Sequence, residues 1–508
     1  MRYDVAIVGY GPTGMALAAL LGQRGRKVLI LERYKGLYNL PRAAAFDDET
    51  MRTFQALNIA EKMLPGTNVQ KGYVWVNGAG ETLLDVEYDN PGRCGWPAQY
   101  MMYQPHMEDV LDQKIRSMPN IDLRQGVTVF GITQDAEGVA VHARAEDGAE
   151  TISHAGWLIG CDGGNGFVRD YMACGLDDYD FFENWLVCDF QMRHAVAGLP
   201  SFRQICNPAQ PISIVNIGPN HHRFSFRLDP EADRKELVKP ENVWPRVSEF
   251  FTPKDADLIR VANYTFRSCV AQSWRKGRVL IAGDAAHQMP PFLAQGMVSG
   301  IRDARNLDWK LDMVLSGAPD SILDSYQIER EPHVRFIIEK AVELGRVQTM
   351  RDPQAAKARD ERMIAARKAN RKPDKFIYPA LKGGLILNDG ALFPQGLVSN
   401  ASRTALFDDF FGARWIIAVK DPGLMTLLTD KTRADWKAIG GDAARFGLAS
   451  TVGGAELSDT GGVYSRWFDE TGAIAAIVRP DSHIYAVIRT PDDLAPVVCD
   501  LLASLGRR

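Results

Sequence analysis

Residues 3–33 read YDVAIVGYGPTGMALAALLGQRGRKVLILER, and this stretch decides the fold. YDVAIVG carries the apolar run of a buried strand, PTGMALAALLGQRG a helix with small residues on one face, and KVLILER a second buried strand. That alternation is a βαβ unit with a parallel sheet. Between the first strand and the helix stands a complete G-x-G-x-x-G: Gly9, Tyr10, Gly11, Pro12, Thr13 and Gly14. Glycines are needed there because the turn is tight, the backbone must approach a pyrophosphate closely, and the helix must pack hard on the sheet. The first N–H groups of the helix then face the phosphates. Glu32, at the end of the second strand, is placed to accept hydrogen bonds from an adenosine ribose, and Arg33 beside it is a further cofactor contact. An acid at that position disfavours a 2′-phosphate, so the unit is expected to bind FAD or NAD rather than NADP.

Working outward, 508 residues at roughly 150 per domain suggest two to four domains. Lysine and arginine number 59 against 63 aspartate and glutamate, a net charge of −4, with no basic block of the kind that binds nucleic acid or anionic membranes. No uncharged stretch of about 18 residues occurs, so no membrane span is expected. Met1-Arg2-Tyr3-Asp4 runs straight into the first strand without a secretory signal, and the expected location is the cytoplasm. Seven scattered cysteines, none in C-x-x-C spacing, argue against a disulfide frame, a zinc site or a dithiol centre, and no metal site is expected.

A dinucleotide turn suits both a dehydrogenase and a flavoprotein, and two later segments choose between them. WLIGCDGGNGFVRDYM (157–172) is a strand running into Asp162-Gly163-Gly164, with Arg169 beyond. GRVLIAGDAAHQMPPFLAQGMVSGIRDARNLDWKL (277–311) is a buried strand, Gly283-Asp284, a Pro290-Pro291 loop and a long helix. An aspartate after that strand is positioned for a ribityl hydroxyl. N–H groups near Gln295, Gly296 and Met297, at the helix start, can stabilise negative charge on the N1–C2=O edge of a reduced flavin. ISIVNIG, HHRFSFRLD and RVANYTFRSCV, between 212 and 270, alternate with period two and are divided by Gly, Pro and Asn turns, as in an antiparallel sheet, to which GYVWVNG (72–78) adds a strand. Along HHRFSFRL, His222, Phe224 and Phe226 share one face while His221, Arg223, Ser225 and Arg227 share the other.

GYGPTG with Glu32, CDGG at 161–164 and GDAAHQMPPF at 283–292, in this order, resemble the single-component (class A) FAD-dependent aromatic hydroxylases of the 4-hydroxybenzoate hydroxylase fold. NLPRAAAFDDETMRTFQALN (39–58), YQP (103–105), GIRDARNLDWKLD (300–312) and SYQIEREPH (325–333) add to the likeness, which is closest to the 3-(3-hydroxyphenyl)propionate hydroxylase group. It covers nearly the whole chain, including a C-terminal stretch whose RWFD and IVRPDSHIYA look like the thioredoxin-like domain of larger members. The resemblance implies an α/β FAD-binding Rossmann-like domain, of the GR2 type, from 1–72, 104–180 and 272–345. Interleaved with it would be a substrate-binding sheet domain from 73–103 and 181–271, followed by a helical linker at 346–385 and a thioredoxin-like domain at 386–508. It places Arg42 over the FAD pyrophosphate, Gln104 near the ribityl chain, Asp284 at the ribityl chain and pyrophosphate, and Asp162 with Gly163 in the cofactor region. Tyr264 matches a tyrosine set beside the substrate hydroxyl. The loop departs from the family pattern: Ala294-Gln295-Gly296-Met297-Val298 lacks one glycine and an asparagine, although backbone N–H donors survive.

The implied reaction is ortho-hydroxylation of a phenol through a flavin C4a-hydroperoxide, with bound FAD, transient NADH or NADPH, and O2, in aromatic catabolism. An electrophilic oxygen reacts best with a phenolate, so a group beside the hydroxyl should hold or remove its proton: Tyr264 first, His222 second. The carbonyls of Pro290 and Pro291, free of local N–H competition, could accept from the substrate hydroxyl. Oxygen insertion into a larger polyketide-like ketone or alkene is the alternative, and a non-catalytic flavin-binding redox sensor is the alternative of another class. The tail holds only Cys499, so it lacks dithiol chemistry and is expected to support packing or a homodimer. DPQAAKARDERMIAARKANRKPDK (352–375) is expected to be an exposed linking helix.

Overall fold

The computed structural model describes residues 2–372, 376–446 and 456–507; the parts of the expected linker and tail at 373–375, 447–455 and 508 lie outside them. Strand Arg2–Val8, with Val5, Ala6 and Ile7 fully buried, sits at the centre of an eight-stranded sheet. Val28–Glu32 and then Ile121–Gln125 lie parallel on one side of it, Glu150–Gly160 and then Val279–Ile281 on the other. The first strand, the second and those ending at Gly160 and Ile281 therefore stop along one edge, and the next residues are Gly9, Arg33, Cys161-Asp162 and Ala282-Gly283-Asp284. Open α/β sheets bind ligands at that carboxyl edge.

A second, seven-stranded sheet runs in the order Ala256–Phe266, Glu183–Met192, His221–Arg227, Ile212–Asn216, Phe202–Ile205, Gly72–Val76, Thr82–Glu87. Alternation splits its faces. Leu186, Phe190, Ile214, Phe224 and Phe226 form an apolar core closed by Val243 and Val247 of helix Pro240–Val247. The opposite face turns toward the ligand edge of the first sheet, where Arg223 donates to the carbonyls of Pro41 and Arg42.

The tail is a third sheet with the strand order of a thioredoxin-like core. Ile416–Val419 lies parallel to Asp442–Phe446 and antiparallel to Ala475–Val478, which pairs antiparallel with Ile484–Ile488; helices Asp430–Ala438, Val463–Thr471 and Pro491–Ser504 accompany them. Cys499 is exposed, and the cysteines among the described residues are all free. This unit is fastened to the flavin-side helices by buried charge. Glu329 accepts from Lys310 and from Arg479, each at 2.8 Å, and Asp481 takes Arg479, Trp309 Nε1 and Asn306 Nδ2. Arg52 grips Asp408 with two bonds, 2.6 and 2.8 Å.

Helix Pro353–Lys368 does not stand free as expected. Arg359, 1% exposed, donates to the carbonyls of Val347 and Cys206, while Met363 and Ile364 pack against Trp75 and Leu83. Its charge pattern marked only the solvent face. Among the described residues no helix is long and apolar enough to cross a membrane.

Candidate active site

The nucleotide turn is shaped by absent side chains. Gly9 adopts φ +102°, and a Cβ there would lie 2.4 Å from the Cys161 carbonyl oxygen; one on Gly14 would lie 2.3 Å from the Gly9 oxygen. Nothing stands within 4 Å of a Cβ on Gly11, so there the backbone faces open space where a phosphate can approach. Pro12 occupies the first turn of helix Pro12–Gln23, where a missing N–H costs nothing. Thr13 wedges its hydroxyl against Gly283 and Gly300, whose Cβ atoms would come within 2.6 and 2.2 Å of it, locking three motifs together. Glu32 accepts from the N–H of Tyr10 at 2.7 Å and of Tyr34 at 2.9 Å, which fixes its carboxylate at the rim with lone pairs to spare for ribose hydroxyls. Arg33 is exposed, its guanidinium over the Tyr34 ring.

Arg42 is half-exposed, its guanidinium 4.6 Å from the centroid of Tyr38 and 3.7 Å from Glu108. Gln104 is buried beneath this loop. Its Oε1 accepts from the N–H groups of Arg42 and Ala43, at 3.1 and 2.6 Å, and its Nε2 donates to Glu108. Gln104 thus shapes the Arg42 loop from below. A second support, absent from the sequence reading, is Arg223: it forks onto Asp189, fully buried, at 2.6 and 3.1 Å, and donates onward to the Arg42 and Pro41 carbonyls. Arg260 joins Asp189 at 3.2 Å.

Asp162 accepts from the N–H of Val168 at 3.0 Å and so caps the short helix Phe167–Met172, while its Oδ1 is buried without a partner. Gly163, at φ +83°, opens the turn, and Arg169 ties it to the neighbouring motif through the carbonyls of Gly164 and Ala285. In that motif Gly283 is held by Asp303, which accepts from the Gly283 N–H and bonds His287 and Arg330. Burial would raise the Asp303 pKa, but the charges of His287 and Arg330 outweigh it and hold the carboxyl below its ordinary value. The Asp284 side chain caps nothing and has no hydrogen-bond partner among the described residues. It reaches solvent, yet protein surrounds it on its other sides, and this burial raises its pKa against the opposing pull of His287 and Arg42.

Pro290 and Pro291 open a 3-10 turn, Pro291–Leu293. Their carbonyls are not free as expected: Pro291 accepts from the Ala294 N–H at 2.8 Å, and Pro290, as the capping residue, accepts the first bond of the turn. Only a second lone pair on each remains for a ligand. Ala294 sits at φ +55°, ψ +30°, the left-handed conformation that glycine adopts without steric cost and alanine does not. Gln295 is buried with its Oε1 bonded by Arg302, itself paired with Asp47 and Glu49. Gly296 and Met297 then begin the 20-residue helix Gly296–Leu315, their N–H groups unpaired within it.

Facing this loop is the second sheet. Tyr264 is 49% exposed toward the cleft and packs on Phe266, which together with Trp185 and Phe181 surrounds Phe292 at centroid distances of 6.0–6.3 Å. Burial raises the Tyr264 pKa and the negative charge of Asp284 adds to it, with Arg42 and Arg260 opposing. His222 lies on the other face, with Phe224 and Phe226. Its ring nitrogens approach the Pro200 carbonyl without a well-formed bond, and burial pushes its pKa down to about 4. It cannot reach the cleft, so its candidacy as a base is withdrawn: helix Pro240–Val247 covers the phenylalanines of its face, which makes that the side away from the cleft. An open cavity of about 600 Å³ between Arg275 and Glu331 lies outside this cleft and shares none of these groups.

Cleft and motifs suit one ligand shape. Gly11 offers open backbone, Asp284 a carboxylate without a hydrogen-bond partner among the described residues, and Gly296 a helix N-terminus, three features of the kind a dinucleotide with a flavin ring uses. Fold and site together define a single-component flavin monooxygenase. The family described as FAD binding domain matches residues 2–341, and the HcaD C-terminal domain matches 390–504. A Rhodococcus jostii (strain RHA1) protein named probable NADH-specific resorcinol 4-hydroxylase is 63% identical over 504 residues, 99% of this chain and 95% of that one. A 3-(3-hydroxy-phenyl)propionate/3-hydroxycinnamic acid hydroxylase of Mycolicibacterium gilvum (strain PYR-GCK) is 31% identical over 510 residues, 95% of this chain and 88% of that one. The flavin-dependent monooxygenase PieE, solved with FAD and substrate, has the same fold, with a TM-score of 0.83 at 21% identity and 99% of each chain covered. The chain belongs to the FAD binding domain family and is a FAD-dependent aromatic hydroxylase, a monooxygenase of small phenolic substrates.

Proposed function

We propose that this enzyme hydroxylates resorcinol at the 4-position, ortho to one hydroxyl, with NADH as reductant. The observation that carries the reading is the 63% identity to the Rhodococcus protein across both the flavin and tail regions, against 31% to the hydroxyphenylpropionate enzyme. A second feature supports a neutral substrate: on the cleft face Arg223 and Arg260 are engaged by Asp189, and Arg227 by the carbonyls of Thr349 and Pro208.

When bound, FAD supplies the redox and oxygen-transfer chemistry. The protein's share is placement, charge and dryness. The Gly11 turn and Arg42 take the pyrophosphate, Glu32 the ribose, and Asp284 the ribityl chain. N–H groups of Gly296 and Met297 offset negative charge at the pyrimidine edge of the ring. Trp185, Phe266 and Phe292 exclude water. Tyr264, with its proton held more firmly than usual, orients the phenolic hydroxyl by hydrogen bonding rather than abstracting its proton. The division into an interleaved FAD domain and substrate sheet, a linker and a tail, with the boundaries given above, is part of this proposal, as is residence in the cytoplasm, which the free cysteines support. A homodimer is supported by the exposed apolar side chains Ile328, Phe376 and Ile377 and is tested by light scattering.

The test is consumption of NADH and NADPH by the holoenzyme with resorcinol or 3-(3-hydroxyphenyl)propionate, with product mass. Resorcinol should stimulate NADH oxidation and yield benzene-1,2,4-triol; stimulation by the propionate alone refutes the proposal.

A further inference from the structure

Strand register on the cleft face of the substrate sheet arranges side chains in rows. One row is charged, with Arg223, Asp189 and Arg260 side by side. Four residues further along each strand, another row pairs Arg227 with Trp185 and Trp185 with Tyr264. The row between them is small: Ser213 opposite Ser225, Ser225 opposite Val187, Val187 opposite Ala262. Side chains one row apart stand about 7 Å from each other and neighbouring strands about 4.8 Å, so these short residues leave a hollow between the arginines and the aromatic wall.

Two hydroxyls line that hollow. Ser213 and Ser225 face each other across the strands, Ser225 is 9% exposed, and neither hydroxyl has a hydrogen-bond partner among the described residues. Neither oxygen is sealed off by protein, so each hydroxyl is open to a hydrogen bond from a ligand. Tyr264 lies two strands and one row from Ser225, a backbone separation of about 12 Å. A hydrogen bond of about 2.8 Å at each end leaves about 6 Å of that separation, the scale of the two hydroxyls at positions 1 and 3 of a benzene ring once the tyrosine leans toward the hollow.

We propose that Ser225, assisted by Ser213, is the specificity-determining group for the second hydroxyl of a meta-dihydroxybenzene whose first hydroxyl meets Tyr264; this rests on the resorcinol reading. A neutral serine pair matches a neutral hydroxyl, donating or accepting as the bound ring requires, and brings no positive charge to pair with a carboxylate. A site that hydrogen-bonds a substrate hydroxyl discriminates against the analogue that lacks it, because its own polar groups are then left unpaired.

The experiment titrates holoenzyme with resorcinol and with 3-methylphenol, in which a methyl replaces the second hydroxyl, following the flavin absorbance; steady-state KM and kcat are measured for resorcinol. The parent enzyme should prefer resorcinol by about tenfold or more. In Ser225→Ala and Ser213→Ala/Ser225→Ala the preference should fall to about twofold, with resorcinol KM raised about tenfold and 3-methylphenol affinity and flavin content unchanged. Retained preference, or equal weakening for both ligands, overturns the assignment while leaving resorcinol hydroxylation intact. A parent enzyme that neither binds nor oxidises resorcinol overturns the functional reading, and this inference with it. Should the double variant lose flavin, the Ser225→Ala comparison decides alone.

Discussion

Arg223 joins the substrate sheet to the loop that carries Arg42, and its replacement separates two roles. The guanidinium makes two bonds to Asp189, which has no exposed surface, and two to the carbonyls of Pro41 and Arg42. Removing one partner of a buried ion pair costs about 3–5 kcal/mol; because Arg260 stays at 3.2 Å from Asp189, the lower end applies to Arg223→Met. Each lost carbonyl bond adds about 1 kcal/mol. Arg223→Lys keeps a charge beside Asp189 but cannot reach both carbonyls, since an ammonium lacks the planar fork. Arg223→Lys should therefore weaken FAD binding about tenfold, from the roughly 1–2 kcal/mol carried by the loop anchors, with little change in the denaturant midpoint. Arg223→Met should weaken FAD binding at least as much and also lower the midpoint. The midpoint serves because a chain of several domains does not unfold in one step. FAD dissociation is read by recovery of flavin fluorescence on dilution. A lysine variant that holds FAD as tightly as the parent, or two variants that shift both measures equally, would refute the coupling of sheet to loop.

Tyr264→Phe should lower coupled hydroxylation about ten- to a hundredfold with flavin content unchanged, measured as product formed per NADH; unchanged coupling removes Tyr264 from the chemistry. Ala294→Gly should raise stability by about 0.5–1 kcal/mol, since relief of the left-handed alanine, about 1–2 kcal/mol, exceeds the added freedom of glycine in the unfolded chain; denaturant titration checks this. For Glu329, burial raises the pKa but Arg479 and Lys310 outweigh it, leaving it at about 2 against an ordinary 4.5. A depressed carboxyl stabilises the fold above its unfolded pKa and loses that contribution as pH falls through its folded one. The denaturant midpoint should therefore drop between about pH 4.5 and 2, and Glu329→Gln, measured over the same range, should show a shallower decline.

The cofactor edge was legible because its physics is local. A tight glycine turn and a strand-ending acid lie within residues 9–32, and spacing alone places them. Face assignments were half legible: the two-residue period put His222 with Phe224 and Phe226, but which face meets the flavin depends on helix Pro240–Val247 covering the phenylalanines. The Asp189–Arg223 and Asp189–Arg260 pairs were invisible for a different reason. Their partners stand 34 and 71 positions apart and meet only through strand register, for which spacing gives no signal. Ala294 left a trace as a departure from a glycine pattern, yet its positive φ is a property of the turn after Pro290 and Pro291. Gln104 was placed near the cofactor by likeness to the family; that its amide is spent on the Arg42 loop follows only from the fold around it.

The buried charges beneath the tail set a timetable for synthesis. Lys310 and Glu329 can pair with each other as soon as both have left the ribosome, but Arg479 and Asp481, which complete the cluster, follow 150 or more positions later. At about 5–20 residues per second that interval is on the order of ten to thirty seconds. Through it the nascent flavin half carries Glu329 with one cation instead of two, and Asn306 and Trp309 without the carboxylate they finally share. The seam between the flavin-side helices and the tail is therefore a late product of translation, its buried charge balanced only when the tail emerges.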